Sequence, residues 1–174
     1  MPDKGDLTMP LLRSGYFRLL ACLICLCIGF GAGFGAGVYA LPILTAEKGL
    51  SRTQLAELAN QQTSAMRTGT FVRDLADSDA FHWGDGTVTV TNERIWLDGQ
   101  LSPGPDYRLY LVSRFVETEA EFLAIKDSAL QIAPIKAFSN FSVDIPQGLD
   151  ISGYNTVLIW CEAFSQFITA AEIK

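Results

Sequence analysis

The sequence predicts an all-β fold, an antiparallel β-sandwich of about eight strands that follows a single N-terminal transmembrane helix and a short linker helix. A stretch of 26 residues without charge, 19–44, predicts the transmembrane helix. From residue 69 onward, short runs rich in β-branched and aromatic residues alternate with turn sequences. Such even spacing of short strands is typical of an antiparallel sandwich or barrel.

The uncharged stretch is long enough to cross a membrane. As a helix it would span about 39 Å, more than the ~30 Å hydrocarbon core. Three Lys or Arg residues precede it, against Lys48 and Arg52 just after it. Under the positive-inside rule this bias predicts a single-pass protein of the cell inner membrane, with its C-terminal domain outside the cytoplasm, in a periplasm or its equivalent. A cleaved signal peptide is the alternative, because Val38-Tyr39-Ala40 resembles a cleavage site.

Glycines recur along one face of the predicted helix. Gly29, Gly33 and Gly37 are spaced by four residues, and Gly31 and Gly35 form a second row. Such a face lacks side chains, so a second helix can approach it closely. The spacing predicts a homodimer through Gly29, Gly33 and Gly37, unless the glycines only reflect their frequency in membrane helices.

The chain is expected to divide into four parts. Residues 1–18 form a cytoplasmic tail, 19–45 the transmembrane helix, 46–68 a juxtamembrane linker and 69–174 the β-sandwich domain. Within the linker a short helix is predicted over 50–67. Ser51 caps its start and Gln54 reaches back to the same turn, which is the capping-box pattern.

Eight runs of strand-forming residues are predicted in the domain. They cover 69–73, 87–91, 94–97, 107–112, 132–135, 138–145, 156–161 and 166–173. A helical or irregular excursion is expected over 117–127. The rigid turn Pro103-Gly104-Pro105-Asp106 precedes the fourth strand.

The net charge of the domain and the positions of the cysteines restrict the possible functions. Residues 69–174 hold 7 Lys and Arg against 15 Asp and Glu, a net charge of −8, which repels phosphate backbones and excludes nucleic acid as a partner. Cys22, Cys25 and Cys27 all lie in the apolar stretch, so Cys161 is the only thiol of the domain and no disulfide can form within it. Catalytic triads, phosphate loops and glycosidase carboxylate pairs are not indicated by any spacing.

Several landmarks of the domain occur in a familiar order. They are Gly69-Thr70-Phe71, His82 before a glycine turn, Gly104-Pro105-Asp106-Tyr107, Ile145-Pro146, Tyr154, Trp160-Cys161, Phe164 and Ala170. Together they resemble the DM-thirteen domain family, described as an electron-transfer module, and the resemblance covers residues 69–174. One departure is Asn140-Phe141, where the family often has glycine and tyrosine; asparagine can adopt the left-handed turn in place of glycine.

The resemblance implies a β-sandwich whose near-terminal cysteine, here Cys161, acts in redox chemistry as a bare thiol or as a ligand for a group such as haem. Cys161 is expected at the bend of the last hairpin, partly exposed, and protonated because of the neighbouring Glu162. The alternative is a buried, structural cysteine.

Two further residues are candidates for binding a cofactor. His82 is the only histidine and could provide a second ligand to a metal or haem bound by Cys161, although a lone histidine is more often a hydrogen-bonded turn residue. Trp160 could flank the same group or simply fill the core. The chain contains no haem-attachment motif and no carboxylate cluster at metal-binding spacing, so covalent haem and a protein-only zinc site are not expected.

The sequence therefore predicts a membrane-anchored electron-transfer or thiol redox module that works through Cys161 beside other redox proteins. The competing hypothesis is a non-catalytic binding or assembly module with a buried cysteine.

Overall fold

The computed structural model describes residues 9–61 and 65–174. The chain divides into two compact units, Met1–Ala40 and Leu41–Lys174. Helix α1, Met9–Thr45, includes an apolar stretch, Gly15–Thr45, with a mean hydropathy of 2.3. By length and composition this helix can cross a membrane, and a signal sequence meets the same criteria. It begins within the predicted tail, of which residues 1–8 lie outside the described residues.

The short helix of the linker is confirmed. Helix α2 is Arg52–Gln61, and residues 62–64 of the predicted helix lie outside the described residues. The backbone N–H of Ser51 donates to Oε1 of Gln54 at 2.9 Å, and the N–H of Gln54 donates to Oγ of Ser51 at 3.3 Å. This is the predicted capping box.

The domain is the predicted antiparallel sandwich of eight strands in two four-stranded sheets. The strands are β1 Arg67–Phe71, β2 Gly84–Val90, β3 Arg94–Leu101, β4 Tyr107–Val112, β5 Leu130–Ile135, β6 Ser142–Asp144, β7 Thr156–Cys161 and β8 Gln166–Glu172. The strand orders are β1-β2-β3-β6 and β5-β4-β7-β8. Between β4 and β5 lie helix α3, Glu119–Leu123, and a 3₁₀ turn, Lys126–Ser128, where the irregular excursion was expected.

The second sheet is covered on both faces, and this positions the site. Alternate residues of a strand point to opposite faces. Val157, Ile159 and Cys161 of β7 belong to the core between the sheets. Leu158 and Trp160 belong to a second apolar cluster, which also contains Phe122 of α3. Strand β7 is buried along its whole length, and its residues after Thr156 form a continuous apolar run.

Strand β6 is shorter than predicted because the chain turns at Asn140, which has a φ of 47°. The asparagine side chain stabilises this left-handed conformation. Its Oδ1 accepts from the N–H of Gly99 at 3.0 Å, and its Nδ2 donates to the carbonyl of Leu50 at 3.0 Å. Asparagine thus adopts the turn conformation that its short polar side chain tolerates.

Candidate functional site

Cys161 is the last residue of β7, and its side chain points into the core between the sheets. It pairs with Tyr107 of β4 and Gln166 of β8, so the hairpin bend consists of the four residues that follow it, 162–165. Its exposed fraction is 2%. The expectation of a partly exposed thiol at the bend was wrong, because the alternation of β7 turns this side chain inward.

The surroundings of the sulfur oppose and favour the thiolate at the same time. Burial raises the pKa of the Cys161 thiol, and the Asp106 carboxylate raises it further. The backbone amides of Phe164, Asp106 and Ala163 act in the opposite direction and lower the pKa of the thiol. The net effect is a raised pKa, so the thiol is protonated at neutral pH, as expected, with burial as the main cause.

Tyr107 lies beside Cys161 at the same end of the sandwich. Its hydroxyl is 3.4 Å from Oγ of Ser102, which accepts from the backbone N–H of Trp83 at 3.2 Å. Burial raises the pKa of Tyr107, so its phenol also stays neutral. A Cβ on Gly104 would lie 2.3 Å from the Tyr107 ring, so the Gly-Pro turn needs a glycine to let this ring pack.

His82 lies on the loop before β2. Its Nδ1 is 2.9 Å from Oδ2 of Asp79, and its side chain is 30% exposed. The backbone N–H of His82 donates to the same carboxylate at 2.8 Å. These are the contacts of a hydrogen-bonded turn residue. None of them involves Cys161.

Trp160 points away from Cys161. Its ring centroid lies 4.9 Å from that of Phe122, in the cluster between β7 and α3. A group bound at the sulfur would therefore lie on the other face of the strand from this indole.

Tyr110, Lys126 and Glu162 form a polar cluster next to Trp160 that the sequence analysis missed. Tyr110 donates to Oε1 of Glu162, and Nζ of Lys126 donates to Oε2 of the same carboxylate at 2.7 Å. Tyr110 belongs to β4, Lys126 begins the 3₁₀ turn and Glu162 directly follows β7, so the three residues meet only in the folded domain. The single available signal was a charged residue, Glu162, directly after a buried strand.

The arrangement does not fit a haem or a metal ion as it stands. Among the described residues, no group of three or more His, Cys, Asp and Glu side chains could hold a metal ion. Four cavities at the described surface have volumes of about 590, 350, 630 and 240 Å³, and neither Cys161 nor His82 lines any of these four. A haem needs an open cavity at its axial ligand, and the buried sulfur offers none in this conformation.

The chain was compared with known proteins. None of the curated proteins matches it, and none of the solved structures does. The family model described as Electron transfer DM13 matches residues 71–173, which is more than half of the chain and nearly the whole sandwich. The match includes the strand that ends in Cys161, the loop of His82 and the turn at Gly104. On this match, the chain belongs to the Electron transfer DM13 family.

Proposed function

We propose that the chain is a membrane-anchored electron-transfer protein whose sandwich domain lies outside the cytoplasm, at a cell inner membrane, and that Cys161 is its redox-active group. The observation that carries the proposal is the match of the electron-transfer family model to residues 71–173, a span whose one thiol is Cys161. The backbone amides of residues 106, 163 and 164 also lower the pKa of that thiol, against the effect of burial. Backbone donors stabilise the thiolate, which is the reactive form of cysteine.

The buried sulfur reacts after the hairpin bend opens. Two of the three donors, the N–H groups of Ala163 and Phe164, belong to that bend. The bend directly follows Cys161 in the chain, and its Phe164 side chain is exposed. Local opening of a short turn costs less than global unfolding, and the barrier restricts the thiol to partners that open the bend.

The redox step requires a second protein, since the domain contains no other thiol. Once the bend is open, the Cys161 thiol loses its proton to water, and the resulting thiolate attacks a disulfide of the partner. A new sulfur–sulfur bond joins the two proteins, the partner's own disulfide breaks, and its leaving thiolate takes up a proton. The acidic domain favours a partner with a basic surface.

The test is thiol accessibility in the full chain, in detergent, with Cys22, Cys25 and Cys27 replaced by alanine. Alkylation of Cys161 is expected to be slow but measurable under native conditions and to precede global unfolding. The variant Phe164→Gly, which loosens the bend, is expected to accelerate alkylation without a matching loss of stability. Alkylation only at the rate of global unfolding contradicts the proposal.

An absorption spectrum with added haem tests cofactor binding in the same protein. No Soret band that depends on Cys161 is expected. A band that is lost in both Cys161→Ser and His82→Ala would instead establish the haem-ligand role for these two residues.

The second candidate function is a binding or assembly module with a structural cysteine. The 2% exposure of Cys161 and its place among core residues favour it. If this second function is correct, the variant Cys161→Ala is less stable but still binds the same partners as the native chain. The redox proposal instead requires that Cys161→Ala no longer forms the mixed disulfide.

The membrane helix is proposed to form a homodimer through Gly29, Gly33 and Gly37. At each of these glycines, an added Cβ would meet no heavy atom within 4 Å. The same holds at Gly31 and Gly35, so the choice of the first row rests on its three glycines spaced by four residues.

A further inference from the structure

We propose that Tyr110 is a second redox group of this domain, a phenol that loses one electron while its proton passes to Glu162. The group lies on the face of the second sheet opposite Cys161, in the cluster beneath α3. The proposal does not depend on the chemistry of Cys161.

The geometry provides a proton acceptor already bonded to the phenol. The Tyr110 hydroxyl donates to Oε1 of Glu162, and Oε1 of Gln131 lies 2.9 Å from the same hydroxyl. A phenol has one proton, and the charged carboxylate is the stronger acceptor. Tyr110 is 5% exposed, so this hydrogen bond is largely shielded from water.

The carboxylate is kept ionised although it is partly buried. Burial alone would raise the pKa of Glu162, but hydrogen bonds from Lys126 and Tyr110 outweigh it and hold the pKa below its ordinary value. The indole N–H of Trp160 acts in the same direction without a hydrogen bond of standard geometry. Glu162 is therefore a proton acceptor in its charged form at neutral pH.

The phenol, in contrast, is kept protonated. Burial, the hydrogen bond to Glu162 and the negative charge of that carboxylate raise the pKa of Tyr110. The charges of Glu162 and Asp106 raise its pKa and that of Arg108 lowers it. Nζ of Lys126 also faces the phenol, 6.0 Å from its ring centroid. Oxidation of a neutral phenol produces a strongly acidic cation, so a bonded base determines how fast the electron can leave.

The aromatic surroundings suit a radical. The Phe122 ring centroid lies 5.2 Å from that of Tyr110 and 4.9 Å from that of Trp160. Nζ of Lys126 lies 5.1 Å from the Trp160 ring centroid. The rings separate the phenol from solvent, and Lys126 and Glu162 remain partly exposed at the rim, where an electron acceptor can approach.

A one-electron oxidant of high potential, such as an oxidised metal complex, takes the electron. The Tyr110 O–H bond breaks, its proton forms an O–H bond on Glu162, and one electron from the phenol reduces the oxidant. The products are a neutral tyrosyl radical, a carboxylic acid and the reduced complex. Return of an electron and of the proton restores the starting state.

The experiment is photochemical oxidation of the full chain in detergent by a ruthenium(III) tris-bipyridine complex, read by transient absorption and electron paramagnetic resonance. A tyrosyl radical is expected in the native protein and is expected to disappear in Tyr110→Phe, which keeps the ring packing. The matched control Tyr154→Phe is expected to retain it. Glu162→Gln should slow radical formation at least about tenfold, because a positioned proton acceptor is lost.

Two results would overturn the proposal, namely an unchanged radical in Tyr110→Phe and an unchanged rate in Glu162→Gln. Circular dichroism of each variant shows whether the fold is retained, and Glu162→Asp serves as a second variant that keeps the carboxylate. The radical is also expected in Cys161→Ala, so failure of the thiol proposal and failure of this one give different results.

Discussion

Trp160 and Cys161 are consecutive residues of β7 whose side chains enter different hydrophobic clusters. The sulfur lies between the two sheets, and the indole lies between the second sheet and α3. A single bound group cannot touch both side chains without crossing the strand. The domain therefore has two chemically distinct environments at one end of β7, a buried thiol between the sheets and a phenol–carboxylate pair beside an indole.

The buried thiol should make the protein less stable at alkaline pH. The pKa of Cys161 is raised above its ordinary value of 9.0, so above that pH the unfolded chain loses a proton that the folded chain retains. The free energy of unfolding then falls as pH rises, until the folded thiol also ionises. Urea denaturation of native protein and Cys161→Ala between pH 7 and alkaline pH measures this.

The decline just above pH 9.0 is expected to be smaller in Cys161→Ala. Burial also raises the pKa values of Tyr107 and Tyr110. The free energy of unfolding should therefore decline further at higher pH in both proteins. Identical profiles up to the tyrosine range would contradict the assignment to Cys161.

The ion pair of Lys126 with Glu162 should contribute more to stability than an exposed one. Lys126→Ala leaves a partly buried carboxylate with one donor fewer and is expected to lower the free energy of unfolding by about 1 kcal/mol. Lys136 pairs with Glu47 at 3.4 Å with both side chains 65% exposed, so Lys136→Ala should change stability by less than about 0.5 kcal/mol. Equal losses in the two variants would show that burial makes no difference.

The turn at Asn140 should depend on both backbone conformation and side-chain bonds. Asn140→Gly keeps the left-handed φ at no steric cost but loses the bonds to Gly99 and Leu50. Asn140→Ala loses the same bonds and also places a Cβ in the left-handed region. The alanine variant should be less stable than the glycine variant by about 1 kcal/mol, measured by chemical denaturation. The reverse order would mean that the turn relaxes in the variants.

The proposed helix dimer should be sensitive to bulk on one glycine row. Gly33→Leu is expected to weaken self-association in a membrane two-hybrid assay, because leucine separates the two backbones. Gly31→Leu, on the second row, is the matched control and should leave association near the native level. A dimer signal that Gly33→Leu leaves unchanged would remove the proposed interface.

Local sequence patterns were sufficient to predict most of the fold. The uncharged run, the capping box at Ser51 and the alternation of β runs with turns were sufficient to predict a membrane-length helix, a short helix and eight strands. Even the substitution of asparagine for glycine at residue 140 could be interpreted correctly, because the left-handed conformation is a property of the residue itself. The start of β6 could not be predicted, since it depends on bonds from Asn140 to two distant segments.

The sequence by itself determined which elements form, their order and the presence of one thiol in the domain, because these follow from residue spacing, hydrophobicity and counting. Only the tertiary structure decided that Cys161 is buried, that Trp160 faces the other cluster, and that Tyr110, Lys126 and Glu162 meet. The physical reason is that strand alternation defines two faces but not which of them a given end of a strand exposes. Which face is buried at the end of β7 depends on the pairing of β7 with β4 and β8 and on the turn that follows β7.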